Sequence, residues 1–202
     1  MTLDRASVEP TAPASVALAS DPAVGREKAR FDVLRAFREV LHDLSIAVLV
    51  CFFLVSFVAQ AFRVQGTSMQ PLLADGERII VNKLPYRFGP IQRGDVVVFW
   101  YPKDPSVSFI KRVAGRPGDT VEIRRGQLFV NGQRVREDYV LGSYRDADTL
   151  PPVLVPSGYY YVLGDHRTSS NDSRSWGEVP EKYIYGKAWF RFWPLSKLGA
   201  IH

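Results

Sequence analysis

Three segments of the 202-residue chain carry side chains at spacings that could do chemistry. The first is Val64-Gln-Gly66-Thr-Ser68-Met69-Gln-Pro71. Gly66 lets the backbone approach another chain closely, and Pro71 forces a turn after Ser68. A serine in such a turn can present both its hydroxyl and its own N–H, the pairing that a nucleophile with an oxyanion hole needs. Taken alone, the segment reads first as a structural turn. The second is Phe109-Ile110-Lys111-Arg112-Val113, running on to Pro117-Gly118-Asp119. On a strand, Val107, Phe109, Lys111 and Val113 share one face. A lysine in that apolar row either carries its charge to the edge or is buried and loses its proton. An ordinary lysine is neutral in only about 10⁻³ to 10⁻⁴ of molecules at pH 7, so burial is what makes it a base. The third is Gly164-Asp165-His166-Arg167-Thr-Ser169-Ser170-Asn171-Asp172-Ser173-Arg174, either a solvated polar loop or one cross-braced by pairs among its own acids and arginines.

Other chemistries are excluded by what the chain lacks. A single cysteine, Cys51, rules out an internal disulfide framework and a multi-cysteine zinc site. His42, His166 and His202 have no second ligand at zinc spacing, so neither a metal nor another cofactor is expected. The net charge of +5 is spread thinly; it favours an anionic membrane surface and gives no sign of a nucleic-acid partner.

The elements that must position these residues are mostly strands. Arg78–Lys83, Asp95–Tyr101, Val107–Val113, Thr120–Arg124, Tyr159–Leu163 and Lys187–Trp193 are short β-rich runs. Gln127–Val130 and Gln133–Val135 flank Asn131-Gly132, a two-residue hairpin turn. Residues 136–157, with three prolines, read as an irregular connection. The expected fold is therefore mainly β. Ahead of it, Leu44–Phe62 is an uncharged run of 19 residues, about 28 Å as a helix and close to the roughly 30 Å hydrocarbon core. It reads as one transmembrane signal anchor in which Cys51 packs as a small hydrophobe. A cleaved signal peptide, with Ala59-Gln60-Ala61 as its processing site, is the rival, but this run is longer and later than such peptides. Arg26, Lys28, Arg30, Arg35 and Arg38 precede it, and only Arg63 and Arg78 lie in the comparable stretch beyond. That asymmetry places residues 1–43 in the cytoplasm and 63–202 outside, with the first 24 residues disordered.

Taken together the segments resemble the bacterial type I signal peptidases. The nucleophile motif is present as Gly66-Thr67-Ser68-Met69-Gln70-Pro71, and Arg93-Gly94-Asp95-Val96-Val97-Val98-Phe99 matches the family's Arg-Gly-Asp strand. Lys111-Arg112-Val113 through Asp119 and the loop Gly164–Arg174 complete the set in the family's order, with His166 where the family has Asn.

The resemblance implies a β domain related to the self-cleaving SOS repressors, behind one N-terminal transmembrane helix in the plasma membrane. It implies a serine endopeptidase that cuts signal peptides from preproteins after Ala-x-Ala sites. Ser68 would be the nucleophile, Lys111 the general base, and Ser170 the residue that orients Lys111. Asp165, Arg167, Asp172 and Arg174 would form structural ion pairs. The oxyanion hole would use the Ser68 N–H; some members add a serine hydroxyl at the position held here by Gly66, leaving a backbone N–H or the Thr67 hydroxyl for the second donor. Phe62, Val64, Met69, Leu73, Phe109 and Ile110 would line shallow pockets that reject large side chains by clash. The substrate would add as a strand between the Val64 and Phe109–Lys111 segments. Trp189–Trp193 suits either a lipid interface or the core. The rivals are a self-processing Ser–Lys protease and an anchored binding module without catalysis. Ser-x-x-Lys chemistry fails because Pro71 stands three residues after Ser68.

Overall fold

The computed structural model describes residues 22–54 and 58–202, which divide into two compact units, one up to Leu49 and one from Val50 onward. Of the N-terminal stretch expected to be disordered, residues 1–21 lie outside the described residues and Pro22 onward is helical. Helix α1 spans Pro22–Phe53. Its apolar side chains Leu44, Val48, Leu49 and Phe52 are 57–67% exposed, and Cys51 is exposed rather than packed. Among the described residues no helix is long and apolar enough to cross a membrane.

The expected span over 44–62 is corrected at its C-terminal end, because Ala59–Arg63 forms strand β1. Short apolar runs do not announce helix or strand by themselves. Here a neighbour decides: β2 (Arg78–Asn82) pairs with β1 antiparallel from Ala59↔Asn82 to Arg63↔Arg78 and supplies the ladder.

The strands of the second unit form two antiparallel sheets. The larger has the order β1-β2-β11-β3-β4-β9-β10, with β12 (Gly199–Ala200) attached to β11. In it β3 is Val96–Tyr101, β4 Asp104–Gly115, β9 Tyr159–Leu163, β10 Val179–Pro180 and β11 Ile184–Trp193. The smaller has the order β7-β6-β5-β8, with β5 Thr120–Arg124, β6 Gln127–Val130, β7 Gln133–Arg134 and β8 Leu150–Leu154. The hairpin between β6 and β7 turns at Asn131 (φ 52°) and Gly132 (φ 77°), the positive values a two-residue turn demands.

Strand β8 corrects the reading of 136–157 as wholly irregular. Pro151 and Pro152 hide it, since proline cannot donate to a ladder, yet β8 is an edge strand where that loss is tolerated. Three apolar clusters hold the unit together. One joins Val64, Met69 and Leu73 to Ile79, Val81 and Val98, directly beneath the Ser68 turn. A second surrounds Phe99, Val113 and Val162. The third packs Val121, Ile123 and Leu128 of the small sheet on Ala114, Tyr161 and Leu163 of the large one.

Candidate active site

Ser68 and Lys111 meet although 43 positions separate them. Strand β1 leads into a turn at Thr67–Gln70, closed by the Gln70 N–H donating to Thr67 O at 3.0 Å. Met69 and Leu73 plug that turn into the core. Lys111 lies on β4 opposite Val97 of β3, and its side chain is carried inward. Its Nζ donates to Ser68 Oγ at 2.8 Å and to Ile110 O at 3.0 Å. Lys111 is 4% exposed, so of the two readings open in the sequence, burial is the one realised. Burial strips water from the ammonium and lowers its pKa to about 8; the charges of Asp172 and Asp165 oppose this without cancelling it.

The cavity over this pair holds about 350 Å³ and is lined by Phe62, Val64, Ser68, Met69, Phe109, Ile110 and Lys111. Sequence reasoning missed Ser108, Ser169 and Asn171, which also face it. Leu73 does not; it is wholly buried under the turn, so its place is in the core. The cavity's walls are strand edges. β1 ends the large sheet, and β9 pairs with β4 only from Arg112 onward, which leaves the β4 edge before Arg112 open. An extended peptide could add to both.

The other expected site residues need correction in detail. Ser170 makes no hydrogen bond to Lys111: among the described residues its buried Oγ has no hydrogen-bond partner and lies tight against Gly164, while the Ile110 carbonyl accepts from the amine. The Gly66 N–H donates to Asp75 Oδ1 at 2.7 Å, so it is not a free oxyanion donor. Gly66 has φ 87° and open space where a Cβ would lie, so its backbone conformation is what calls for glycine there. The Thr67 and Ser169 hydroxyls are hydrogen-bonded to each other at 3.0 Å. Among the described residues the Ser68 N–H has no acceptor.

The ion pairs of the polar loop reach mostly outside it. Arg112 grips Asp165 with two bonds, Nε to Oδ1 at 2.9 Å and Nη2 to Oδ2 at 2.8 Å. Arg167 pairs with Glu137. Only Asp172 and Arg174 pair within the loop, and Arg174 also reaches Asp146. Spacing in sequence suggests internal pairs; the Arg167–Ser169 turn and the pairing of Arg112 with Leu163 send Asp165 and Arg167 to other partners. The loop in turn supports the nucleophile: the His166 N–H donates to Ser68 O at 3.0 Å, and Asp172 Oδ2 accepts the Gly164 N–H at 3.0 Å. His166 stacks on Tyr144 with ring centroids 3.8 Å apart.

A hydroxyl beside a buried, easily neutralised amine, at the floor of a groove with two open strand edges, is the equipment of a serine peptidase. A family profile described as "Signal peptidase, peptidase S26" matches residues 37–193. Similar proteins include "Signal peptidase I" of Leptolyngbya laminosa, 36% identical over 192 residues covering 90% of each chain. "Probable signal peptidase I-1" of Synechocystis sp. is 40% identical, over 81% of this chain and 86% of its own. "Signal peptidase IB" of Staphylococcus aureus is 38% identical, over 79% of this chain and 91% of its own. The chain belongs to the type I signal peptidases, a family of serine hydrolases.

Proposed function

We propose that this chain removes signal peptides from exported preproteins, cutting after small residues with Ser68 as nucleophile and Lys111 as general base. The observation that carries the reading is the 2.8 Å contact between Lys111 Nζ and Ser68 Oγ with Lys111 buried. Neutral Lys111 takes the hydroxyl proton as Ser68 Oγ attacks the carbonyl of the −1 residue. The oxyanion gathers on the Ser68 N–H. Lys111 then gives the proton to the leaving amine, and the acyl-enzyme forms. A water, deprotonated by the same amine, releases the product and restores Ser68.

The groove walls support the preference for small residues. Val64 and Met69 are buried, Phe109 and Ile110 half-buried, so little room remains for bulk at −1 or −3. In detergent, the purified full chain should cleave a preprotein with Ala or Gly at −1 and reject Val, Leu or Phe by roughly 5- to 150-fold, the effect of about 1–3 kcal/mol of overpacking. Phe109→Ala together with Ile110→Ala should admit larger residues. An unchanged order of preference after both trims would end the pocket assignment, and no cleavage of any preprotein by the wild type would end the reading itself.

We further propose that the exposed apolar stretch of α1 anchors the chain in the plasma membrane, residues before it in the cytoplasm and Ser68 outside. Leu44, Val48, Leu49 and Phe52 are apolar and uncovered, and the basic residues cluster ahead of them. Trp189 and Trp193 are 54% and 50% exposed rather than packed in the core, which suits a lipid interface. Protease added to intact cells should spare an N-terminal tag and digest a C-terminal one. Digestion of the N-terminal tag, or a soluble chain beginning near Phe62 as the main product, would contradict this topology.

A further inference from the structure

The loop that supports Ser68 is held from a segment to which the proposed chemistry assigns nothing. Glu137 follows β7, on the way to β8, and its side chain is 1% exposed. Arg167, itself 2% exposed, donates through Nη1 to Glu137 Oε2 at 3.3 Å and through Nη2 to Oε1. Arg145 Nη1 donates to Oε2 at 3.0 Å and the Tyr139 hydroxyl to Oε1 at 3.1 Å. A carboxylate with this many donors is fixed in place, and a guanidinium as buried as that of Arg167 depends on it for its counter-charge.

Arg167 passes the constraint on. Its Nε donates to Gly164 O at 2.9 Å. Gly164 lies so close to Ser170 and to the Ser68 carbonyl that a Cβ there would be 2.2 Å from Ser170 Oγ and 2.5 Å from Ser68 O. The neighbouring His166 N–H donates to that same carbonyl. The segment after Glu137 makes a second contact with the nucleophile turn, since Tyr144 stacks on His166 and its hydroxyl donates to Gln70 Oε1 at 3.4 Å. Other braces act on the same loop: Asp165 ties it to β4, Asp172 holds the Gly164 N–H, and Arg174 Nη2 donates to the Arg167 carbonyl at 2.8 Å.

We propose that Glu137 is a positioning residue for catalysis: by holding Arg167 it fixes the Gly164–Ser170 turn against the Ser68 carbonyl, and so sets where the Ser68 hydroxyl meets Lys111. The inference rests on the Ser68–Lys111 reading. Misplacing a reacting group by about 1 Å can lower a rate about 10²-fold while substrate still binds.

The test is kcat and KM of the full chain in detergent on one Ala-x-Ala preprotein, at a temperature where circular dichroism shows each variant folded. Glu137→Gln should lower kcat about 10- to 100-fold with KM within about threefold. Glu137→Asp, which keeps the charge, should recover part of that loss. A folded Glu137→Gln protein with wild-type kcat, or with a change in KM alone, overturns the proposal. Should Glu137→Gln not fold, Glu137→Gln combined with Arg167→Met removes both buried charges; the same kcat loss supports the proposal and wild-type kcat overturns it. A wild type that cleaves nothing, or a Ser68→Ala protein that still cleaves, strikes the Ser68–Lys111 reading instead.

Discussion

Ser68→Ala and Lys111→Ala should each lower preprotein cleavage by about 10⁴-fold or more, and the double variant should lose little further, because residues that act as one unit are not additive. Lys111→Arg should fail equally, since a guanidinium stays charged and cannot accept the serine proton. Substantial cleavage by Lys111→Arg would remove the general base from the mechanism. The pH profile follows from the same burial. With its pKa lowered to about 8, Lys111 is neutral in roughly a tenth of molecules at pH 7, against 10⁻³ to 10⁻⁴ or so for an ordinary lysine. Below about pH 8, kcat/KM should fall about tenfold per unit, and above it level off. A rate still climbing past pH 10 would show that burial does not set this amine's basicity. Stability should move with it. The folded state binds its Lys111 proton less tightly than the unfolded chain does. Stability therefore rises between about pH 8 and the ordinary value of 10.5, by about 3 kcal/mol in all. Lys111→Met should abolish that rise and stabilise the protein at pH 7, at the expense of all activity.

Gly164→Ala is the second substitution expected to have a large effect, and it touches neither reacting group. The added methyl would stand 2.2 Å from Ser170 Oγ, 2.5 Å from Ser170 Cβ and 2.5 Å from the Ser68 carbonyl oxygen. Ser170 is on a braced loop and the carbonyl is backbone, so neither yields as a flexible chain end does. Overpacking of this kind costs about 1–3 kcal/mol or more of stability. Because one of the displaced groups is the backbone of Ser68 itself, kcat should fall by about 10²-fold or more even where the variant stays folded. Gly66→Ala makes a useful contrast: nothing lies within 4 Å of its Cβ position, so only the φ of 87° is strained and stability should fall without a clash at Ser68. Equal kcat for Gly164→Ala and wild type would show that the loop does not locate the nucleophile.

Much of this protein is legible in its sequence. Periodicity locates β2, β3, β4, β5 and β9, and Asn131-Gly132 dictates its hairpin, because alternation and positive-φ tolerance are local properties. The motifs around Ser68, Lys111 and Gly164–Arg174 point to the family through residue type and order alone. Strands β1 and β8 are hidden: a short apolar run and a proline pair look like strands only beside the partners that complete their ladders. The pairing of Asp165 with Arg112, of Arg167 with Glu137, and the burial of Leu73 under the turn are equally out of reach, since each joins residues distant in the chain. So is the state of Lys111. The sequence determined that a serine and a lysine with the right neighbours exist; only the packing of β4 against β3 and the Ser68 turn decided that the amine is dehydrated and 2.8 Å from the hydroxyl. A side chain's type is fixed by the gene, but its basicity is set by how much water the folded chain leaves around it.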